Sequence, residues 1–422
     1  METLPATRRT LPDMSLIIDS RSPKPAIDNR ALLFGLSSVL LYGIGFGLTT
    51  PVIPFLVQPY TKGPEQQAVV VALLTFTYAV SVFLAAPGLG ALSDRFGRRP
   101  VLMLCLLGSA AGYLIFGIGG ALWVLFLGRT IDGLTGGNIS TILAYFSDIT
   151  PGEQRSKYFG WASAAAGVGF IIGPSLGGFL ANLGYATPMY IGALITLLNA
   201  TYGAFFMPES LREDRRSANL SLGSMNPFTQ LANVFSIENL KWIFLVIVLL
   251  GVPSGSLQTF FSQFALDTFA WDPAMIGMVF SIIGGLDLIS QSLIMPRLLT
   301  RMTIARIAVL GMLSEILAYG LIAASGIFAY NQLFIAGTIV FGFGDSIFGP
   351  AINGMASSNV GPEEQGRLHG GSQSIQALTR IIGPILGGGL YVSLGHFTPA
   401  IMGVFFVAAA IPVLLRASRS KG

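Results

Sequence analysis

The sequence predicts an all-α integral membrane protein with twelve transmembrane helices, arranged as two pseudo-symmetric six-helix bundles. Three observations support this prediction: long apolar segments, a one-sided distribution of basic residues, and an internal repeat. Of the 422 residues, 52% are hydrophobic and only 10% are charged, and the mean hydropathy is +0.69. A soluble domain carries about 25% charged residues. The chain therefore has too few charges to cover a water-facing surface.

The apolar segments set the number of spans, because a helix needs about 20 apolar residues to cross the hydrocarbon core. Six such segments precede a polar, basic stretch at 208–239, and six follow it. They lie at 31–56, 68–92, 100–120, 121–147, 158–182, 187–207, 240–266, 274–298, 304–325, 330–355, 368–393 and 396–415.

The domain organisation follows from this count. Residues 1–30 carry mixed charge and prolines without the apolar core of a signal peptide, so we expect a disordered tail. The predicted order is a cytoplasmic tail at 1–30, a bundle at 31–207, a cytoplasmic linker at 208–239, a bundle at 240–416 and a cytoplasmic tail at 417–422.

Lysine and arginine predict the orientation, because short loops that carry them stay in the cytoplasm. With the amino terminus inside, 21 of the 24 basic residues fall in inside segments. Lys62 is the one basic residue outside, and Arg129 and Arg380 lie within spans. Both termini are therefore predicted to be cytoplasmic.

The two halves resemble each other at a shift of 210 residues. This shift places span five on span eleven, and it aligns Gly173 and Pro174 with Gly383 and Pro384. A chance match of glycine-rich helices would not keep the proline and the register together. Parallel six-helix repeats of this kind form transporters with a site at mid-membrane between the halves.

The loop after span two has an ordered pattern of glycines and charges, formed by Gly90, Asp94, Arg95, Gly97, Arg98, Arg99 and Pro100. Asp94 can accept charge-assisted hydrogen bonds or lie at a helix amino terminus, where the dipole favours an anion. A solvated basic loop would explain the arginines alone. It would not explain the order of the glycines and the acid.

This loop resembles the signature loop of the major facilitator superfamily. The resemblance implies a latch that joins the two halves on the cytoplasmic side. Asp94 and Arg98 would then pair with groups near Asp148 and near the start of span eleven, at Glu363 and Glu364.

Further motifs extend the likeness over about residues 31–415, and together they resemble the tetracycline-efflux branch of twelve-helix drug:proton antiporters. They are Gly43, Gly45, Gly47, Pro51 and Pro54 in span one; Gly128, Arg129 and Gly133 in span four; Gly169, Gly173, Pro174, Gly177 and Gly178 in span five; and Asp267, Phe269, Trp271, Asp272, Ile276 and Gly277 around the start of span eight. The resemblance associates the span-five pattern with antiport. Close helix packing by small residues would explain the same pattern.

Six charged residues lie in the interior of predicted spans, away from their ends, where each costs at least about 2.5 kcal/mol unless it has a partner or a role. They are Arg129, Asp132, Asp287, Glu315, Asp345 and Arg380. Arg129 and Asp132 are three residues apart, so a local structural pair is one interpretation. The resemblance links the span-four arginine to proton coupling, which is the other.

Glu315 is the first candidate for a proton-coupling residue, because the tetracycline-efflux pattern also has an acid at this position. Burial of an unpaired carboxyl favours its neutral form and so lets it carry a proton. The alternative is a carboxyl that neighbouring hydroxyl groups satisfy. Asp287 stands where relatives often have histidine, and it can also titrate.

Several cavity positions depart from the tetracycline-efflux pattern. Tyr42 and Gly112 replace acids of the relatives, whereas Asp132 and Asp345 are additional acids. Asn353 occupies the position of a cavity glutamine in the relatives. Arg380 occupies a position where the relatives have small or polar residues, and it would neutralise one of the acids. This charge pattern makes tetracycline itself doubtful and favours a cationic or amphipathic compound.

The leading hypothesis is a proton-coupled antiporter that exports a small hydrophobic or amphipathic molecule. It would lie in the plasma or inner membrane as a monomer, with no cofactor, metal or nucleic-acid partner. A nutrient symporter or uniporter of the same fold is the main alternative. A receptor or enzyme is a weaker one, because His369 and His396 form no metal motif and no nucleotide-binding loop is present. Cys105, the single cysteine, excludes an internal disulfide.

Overall fold

The computed structural model describes residues 29–136, 138–150, 154–216, 225–228, 240–360 and 365–419, and within them it is helical throughout apart from turns. We number each helix by the predicted span that it occupies. The helices are α1 (Asn29–Thr49), α2 (Pro64–Phe96), α3 (Arg98–Ile118), α4a (Leu122–Thr135), α4b (Asn138–Ile149), α5 (Arg155–Leu180), α6 (Thr187–Phe206), α7 (Lys241–Phe269), α8 (Pro273–Ile289), α9 (Ile304–Phe328), α10 (Asn331–Ser357), α11 (Gln365–Leu394) and α12 (Thr398–Arg419).

Eleven spans in the described part of the chain are long and apolar enough to cross a membrane. The remaining predicted span, 121–147, is occupied by α4a and α4b. These two helices adjoin residue 137, which lies outside the described residues. The all-α membrane fold is therefore confirmed. The predicted tail at 1–30 and most of the linker at 208–239 also lie largely outside the described residues.

Span one ends earlier than predicted. The prediction took 31–56 as one helix, but α1 ends at Thr49 and a separate short helix runs from Ile53 to Val57. Pro51 lacks the backbone N–H that would continue the helix, and Pro54 opens the next one. The intervening turn is closed by the amide of Val52, which donates to the carbonyl of Thr49 at 3.1 Å.

The repeat seen in the sequence has a structural counterpart in helix packing. In the amino-terminal half, α5 packs on α1, and a Cβ at Gly173 would lie 2.7 Å from the carbonyl oxygen of Ile44. In the other half, α11 packs on α7, and a Cβ at Gly383 would lie 2.6 Å from the carbonyl oxygen of Val252. Real side chains do not tolerate such distances, so both copies need glycine at this position.

The halves meet along two surfaces near the ends that are predicted to be external. On one, Ser175 of α5 and Ser281 of α8 place their Oγ atoms 2.6 Å apart, and Gly178 packs against the backbone of Pro273. On the other, a Cβ at Gly388 of α11 would lie 3.2 Å from the Cβ of Ala72 of α2. We call these two contacts, α5 with α8 and α11 with α2, the outer seam.

Candidate functional site

The loop between α2 and α3 forms a charge network around Arg98. Gly97 turns the chain with φ of 102°, which favours glycine. The guanidinium of Arg98 lies 2.6 Å from a carboxylate oxygen of Asp94, and its Nε donates to Asp148 of α4b at 2.9 Å. A third bond, 3.0 Å long, joins its Nη1 to the hydroxyl of Ser93. One buried arginine therefore ties together the ends of α2, α3 and α4b.

Glu209, just after α6, is a member of this network that the sequence did not predict. Its carboxylate accepts hydrogen bonds from the backbone amides of Arg98 at 2.9 Å and Arg99 at 3.1 Å. These amides lie at the amino terminus of α3, where they have no intrahelical partner and where a negative charge is stabilised. The next residue, Ser210, donates to Asp148 at 3.1 Å. The only sequence signal was an acid directly after an apolar span.

The described partners of Arg98 all belong to the amino-terminal half. The cytoplasmic-end residues predicted to meet it from span eleven, Glu363 and Glu364, lie outside the described residues. Of the other loop residues, Arg95 is exposed and lies over the ring of Phe96 at 5.4 Å. A Cβ at Gly90 would meet nothing within 4 Å, so no close contact requires glycine there.

The glycine-proline motif of α5 packs in two directions. Gly169, Gly173 and Gly177 face α1, and a Cβ on any of them would overlap backbone atoms of that helix. Gly178 packs against Pro273 of α8 in the other half, and the carbonyl oxygen of Pro174 packs against Gly277. The ring of Pro174 packs on Gly47 of α1. The motif therefore joins α5 both to its own bundle and to the outer seam.

Arg129 and Asp132 form a buried but loose pair on α4a. They are 7% and 6% exposed, and the nearest nitrogen–oxygen distance is 3.7 Å. The guanidinium lies over the ring of Phe116 at 4.6 Å and near that of Tyr78 at 5.5 Å. Its Nε has no hydrogen-bond partner in the described structure. The geometry fits a local pair without a direct hydrogen bond.

A small cavity of about 30 Å³ opens beside Asp132. Tyr42, Tyr78 and Tyr113 contribute to its walls, and Tyr42 lies within electrostatic range of both Asp132 and Arg380. The cavity can hold about two water molecules. Arg380 itself is exposed, and it forms no ion pair with a described residue.

Gly112 faces this pair for a steric reason. A Cβ at Gly112 would lie 2.7 Å from the Cβ of Asp132. An acid at this position of α3, as the resemblance gives for tetracycline exporters, would collide with α4a. The packing of α3 on α4a in this chain therefore excludes an acid at position 112.

Three carboxyl groups form a second centre in the carboxy-terminal half, which we call the acidic centre: Asp287 of α8, Glu315 of α9 and Asp345 of α10. Glu315 is 2% exposed, Asp287 is half-buried and Asp345 is exposed. Asp345 interacts electrostatically with both of the others. Close packing of α9 on α10 brings them together, since a Cβ at Gly344 would lie 3.2 Å from Cγ of Glu315.

The acidic centre has few partners. The amide of Gln291 donates to Asp287 at 2.8 Å, but within the described residues no lysine or arginine pairs with the three acids and no hydroxyl donates to Glu315. Tyr319 lies one turn from Glu315, and its buried hydroxyl has no hydrogen-bond partner there. The structure therefore does not show the hydroxyl-satisfied glutamate that the sequence left open. Asn353 is exposed on α10, two turns beyond Asp345.

A π-helical turn at Ser290–Ile294 follows the end of α8 and begins three residues after Asp287. Gln291, the partner of Asp287, lies in this turn. Single π turns often occur beside functional residues in helices. The sequence carries no signal for this turn, because hydrophobic periodicity does not distinguish one wider turn from a regular helix.

Two related helical halves that meet at one side, with buried charges at mid-helix in each, define the class of polytopic secondary transporters. A family model supports this class. The model described as the Major Facilitator Superfamily matches residues 35–378 and 243–421, and the chain belongs to this family.

Curated relatives extend over nearly the whole chain. The tetracycline resistance protein of class C from Escherichia coli is 33% identical over 401 residues, which are 93% of this chain and 98% of that protein. Multidrug resistance protein 2 from Bacillus subtilis (strain 168) is 30% identical over 374 residues, covering 87% and 91% of the two chains.

Solved structures share the fold at lower identity. The human organic anion transporter MFSD10 superposes with a TM-score of 0.68 at 20% identity, covering 91% of this chain and 99% of that one. The nucleoside transporter NupG gives 0.70 at 17% identity, with 93% and 98% covered. The predicted family and fold are thus confirmed.

Proposed function

We propose that the protein is a proton-coupled antiporter that exports a small hydrophobic or amphipathic compound. Its similarity to proteins named for tetracycline resistance and multidrug resistance supports drug efflux. The observation that carries the proposal is the buried environment of Glu315. It is 2% exposed at the middle of α9 and has no cationic partner among the described residues. An ionised carboxylate at such a position is costly, so the group favours its protonated form and can exchange a proton when its surroundings change.

The proposed cycle uses the two halves as rigid bodies. With the outer seam closed, substrate enters from the opposite side and Glu315 releases its proton there. The halves then rock, the seam opens, substrate leaves and Glu315 is protonated from outside. Asp287, Asp132 and Arg129 are further candidates for the proton path.

The cytoplasmic loop network acts as a latch in this proposal. Arg98 holds three helix ends of the amino-terminal half in one arrangement. We place this loop, both termini and the linker in the cytoplasm, and the monomer in the plasma or inner membrane. The distribution of basic residues supports this orientation.

A uniporter of the same fold is the alternative. A uniporter needs no proton carrier. In a uniporter, Asp287, Glu315 and Asp345 would have no role, although no described lysine or arginine pairs with them. A symporter would use the acids but move protons and substrate in one direction. The resemblance of the α5 motif to that of antiporters supports exchange.

The test is proton flux in proteoliposomes under an imposed pH gradient, against a panel of amphipathic drugs. We expect compound-dependent proton movement in the unmodified protein and its loss in Glu315→Gln, because the amide cannot carry a proton. Glu65→Gln is the matched control, since Glu65 is exposed at the start of α2. If the unmodified, folded protein moves no protons with any compound of the panel, antiport is contradicted. Normal proton coupling in Glu315→Gln would exclude Glu315 as the proton carrier.

A further inference from the structure

Two basic side chains and one aromatic ring meet where α7 begins and α12 ends. Lys241 and Trp242 open α7, and Arg416 lies in the last turn of α12. The guanidinium of Arg416 lies over the Trp242 ring, 4.6 Å from its centroid, and the ammonium of Lys241 lies 5.9 Å from the same centroid. Cations from two different helices thus converge on one ring. We call these three residues the basic cluster.

The described protein does not neutralise the basic cluster. Lys241 and Arg416 are exposed, and the ion pairs in the part of the chain that the structure describes include neither of them. Attraction to the Trp242 ring holds both cations beside it, although like charges at short range repel each other. An anion bound by both cations would offset this repulsion.

An exposed apolar surface lies on the membrane side of the basic cluster. Leu245 is one turn from Lys241 on the same face of α7 and is 38% exposed. Pro412 is one turn from Arg416 on the same face of α12 and is also exposed. In both helices the charged residue lies at the end and the apolar residue lies toward the middle. A phospholipid has the same order, with its phosphate at the membrane surface and its acyl chains in the hydrocarbon core.

The basic cluster belongs to one half of the molecule. At the shift of 210 residues, Lys241 corresponds to Ala31. Arg416 corresponds to Phe206 at the same shift. The first copy of the repeat therefore folds without these charges. The preference for basic residues in cytoplasmic loops explains their side of the membrane, but it does not explain why two of them meet on one ring.

We propose that Lys241 and Arg416 bind the phosphate group of an anionic phospholipid in the cytoplasmic leaflet. The guanidinium and the ammonium donate hydrogen bonds to the phosphate oxygens, and the acyl chains lie along Leu245 and Pro412. Trp242 lies at the level of the headgroups, which its ring favours. The bound lipid bridges the first and last helices of the carboxy-terminal half. Such a site requires the proposed orientation of the chain but not proton exchange.

The experiment is native mass spectrometry of the purified full-length protein in detergent, titrated with dioleoylphosphatidylglycerol or with dioleoylphosphatidylcholine. Both lipids contain a phosphate, but only phosphatidylglycerol has a net negative charge. We expect the unmodified protein to bind phosphatidylglycerol at least about tenfold more tightly than phosphatidylcholine. Lys241→Gln with Arg416→Gln should lose this preference. Lys241→Arg with Arg416→Lys should keep it, because both positive charges remain.

Arg301→Gln with Arg306→Gln is the matched control. Both arginines are exposed near the start of α9, and this variant loses the same net charge as the variant of the basic cluster. It should keep the preference for phosphatidylglycerol. Size-exclusion chromatography shows whether each variant is folded.

Three results would overturn the proposal. One is an undiminished preference for phosphatidylglycerol in Lys241→Gln with Arg416→Gln, or an equal loss of preference in the control variant. Another is the absence of any preference in the unmodified protein, which would mean that an acid of the chain or water satisfies the two cations. The third is displacement of phosphatidylglycerol by inorganic phosphate, which would assign the basic cluster to a soluble anion. Loss of drug-driven proton flux with lipid preference intact would remove antiport and keep this site.

Discussion

Arg98 shows how one side chain can organise several helix ends. Its guanidinium contacts Asp94, Asp148 and Ser93, while Glu209 holds its backbone amide. Only arginine offers several donors in a fixed planar arrangement; lysine presents one ammonium group on a flexible stem. The network therefore depends on the shape of the cation as well as on its charge.

Arg98→Lys should slow transport markedly while membrane insertion stays normal. The lysine keeps the charge but cannot contact Asp94 and Asp148 in the same geometry, and a lost hydrogen bond to a charged group costs about 1.5–3 kcal/mol. The measurement is drug-driven proton flux in proteoliposomes, with the yield of folded protein from size-exclusion chromatography. Arg95→Lys is the control, because Arg95 is exposed and outside the network. Equal rates for the two variants would refute a specific role of the network.

At this scale the sequence predicts which residues matter better than it predicts their partners. Glu315 and Asp132 stand out because a charge in an apolar segment is costly wherever the helix packs. Glu209 does not stand out, because it lies 111 residues from Arg98 along the chain. Such a contact depends on how α6 lies beside α3, which local patterns do not contain.

Among the helices, α5 combines two packing surfaces in one motif. Gly177 fits against α1 so closely that a Cβ would lie 2.9 Å from the carbonyl carbon of Leu48. Gly178, the next residue, faces α8. A movement of α1 relative to α8 would therefore have to involve α5, which contacts both helices.

Gly177→Ala should destabilise the protein by about 1–3 kcal/mol, because the added methyl group overpacks the α1–α5 contact. We expect a lower unfolding temperature in detergent and a faster passive proton leak in proteoliposomes. Gly160→Ala is the matched control on the same helix, since a Cβ there would meet nothing within 4 Å. If the passive proton leak of Gly177→Ala is no faster than that of Gly160→Ala, the glycine-proline motif of α5 serves helix packing and does not limit leak.

The helices were largely predictable because an apolar segment of about 20 residues has few alternatives in a membrane. Two details were not. Pro51 ends α1 before the apolar segment ends, and α8 is followed directly by the π turn at Ser290–Ile294. Both reflect backbone hydrogen bonding, to which hydropathy is insensitive.

In the molecule as a whole, the outer seam joins the two halves through small residues. The hydroxyl groups of Ser175 and Ser281 lie 2.6 Å apart across it. The hydroxyl of Ser262 on α7 donates to the carbonyl of Thr50 in the other half at 2.9 Å. If rocking of the halves drives transport, these contacts must break once in every cycle.

A disulfide across the seam should stop transport. We expect Ser175→Cys with Ser281→Cys, in a Cys105→Ser background, to cross-link on oxidation, because the Oγ atoms are already adjacent. Transport should cease after oxidation and return with a reducing agent. In the control, Ser281→Cys is replaced by Ser292→Cys. Ser292 lies in the π turn that follows α8, about 16 Å from Ser281 along the helix axis. Full transport by the cross-linked protein would show that the seam does not open.

The pairing within the seam has an evolutionary consequence. Gly178 of α5 faces α8, and Gly388 of α11 faces α2, and these two glycines are one repeat of 210 residues apart. Each half thus presents the same two surfaces to the other, which is the isologous arrangement of a twofold homodimer. If the two halves arose by duplication, a six-helix ancestor with these surfaces would already have been able to assemble with itself as a dimer. The acidic centre lies in the carboxy-terminal half alone. The two halves would therefore have diverged in their buried charges while they kept the same contact surfaces.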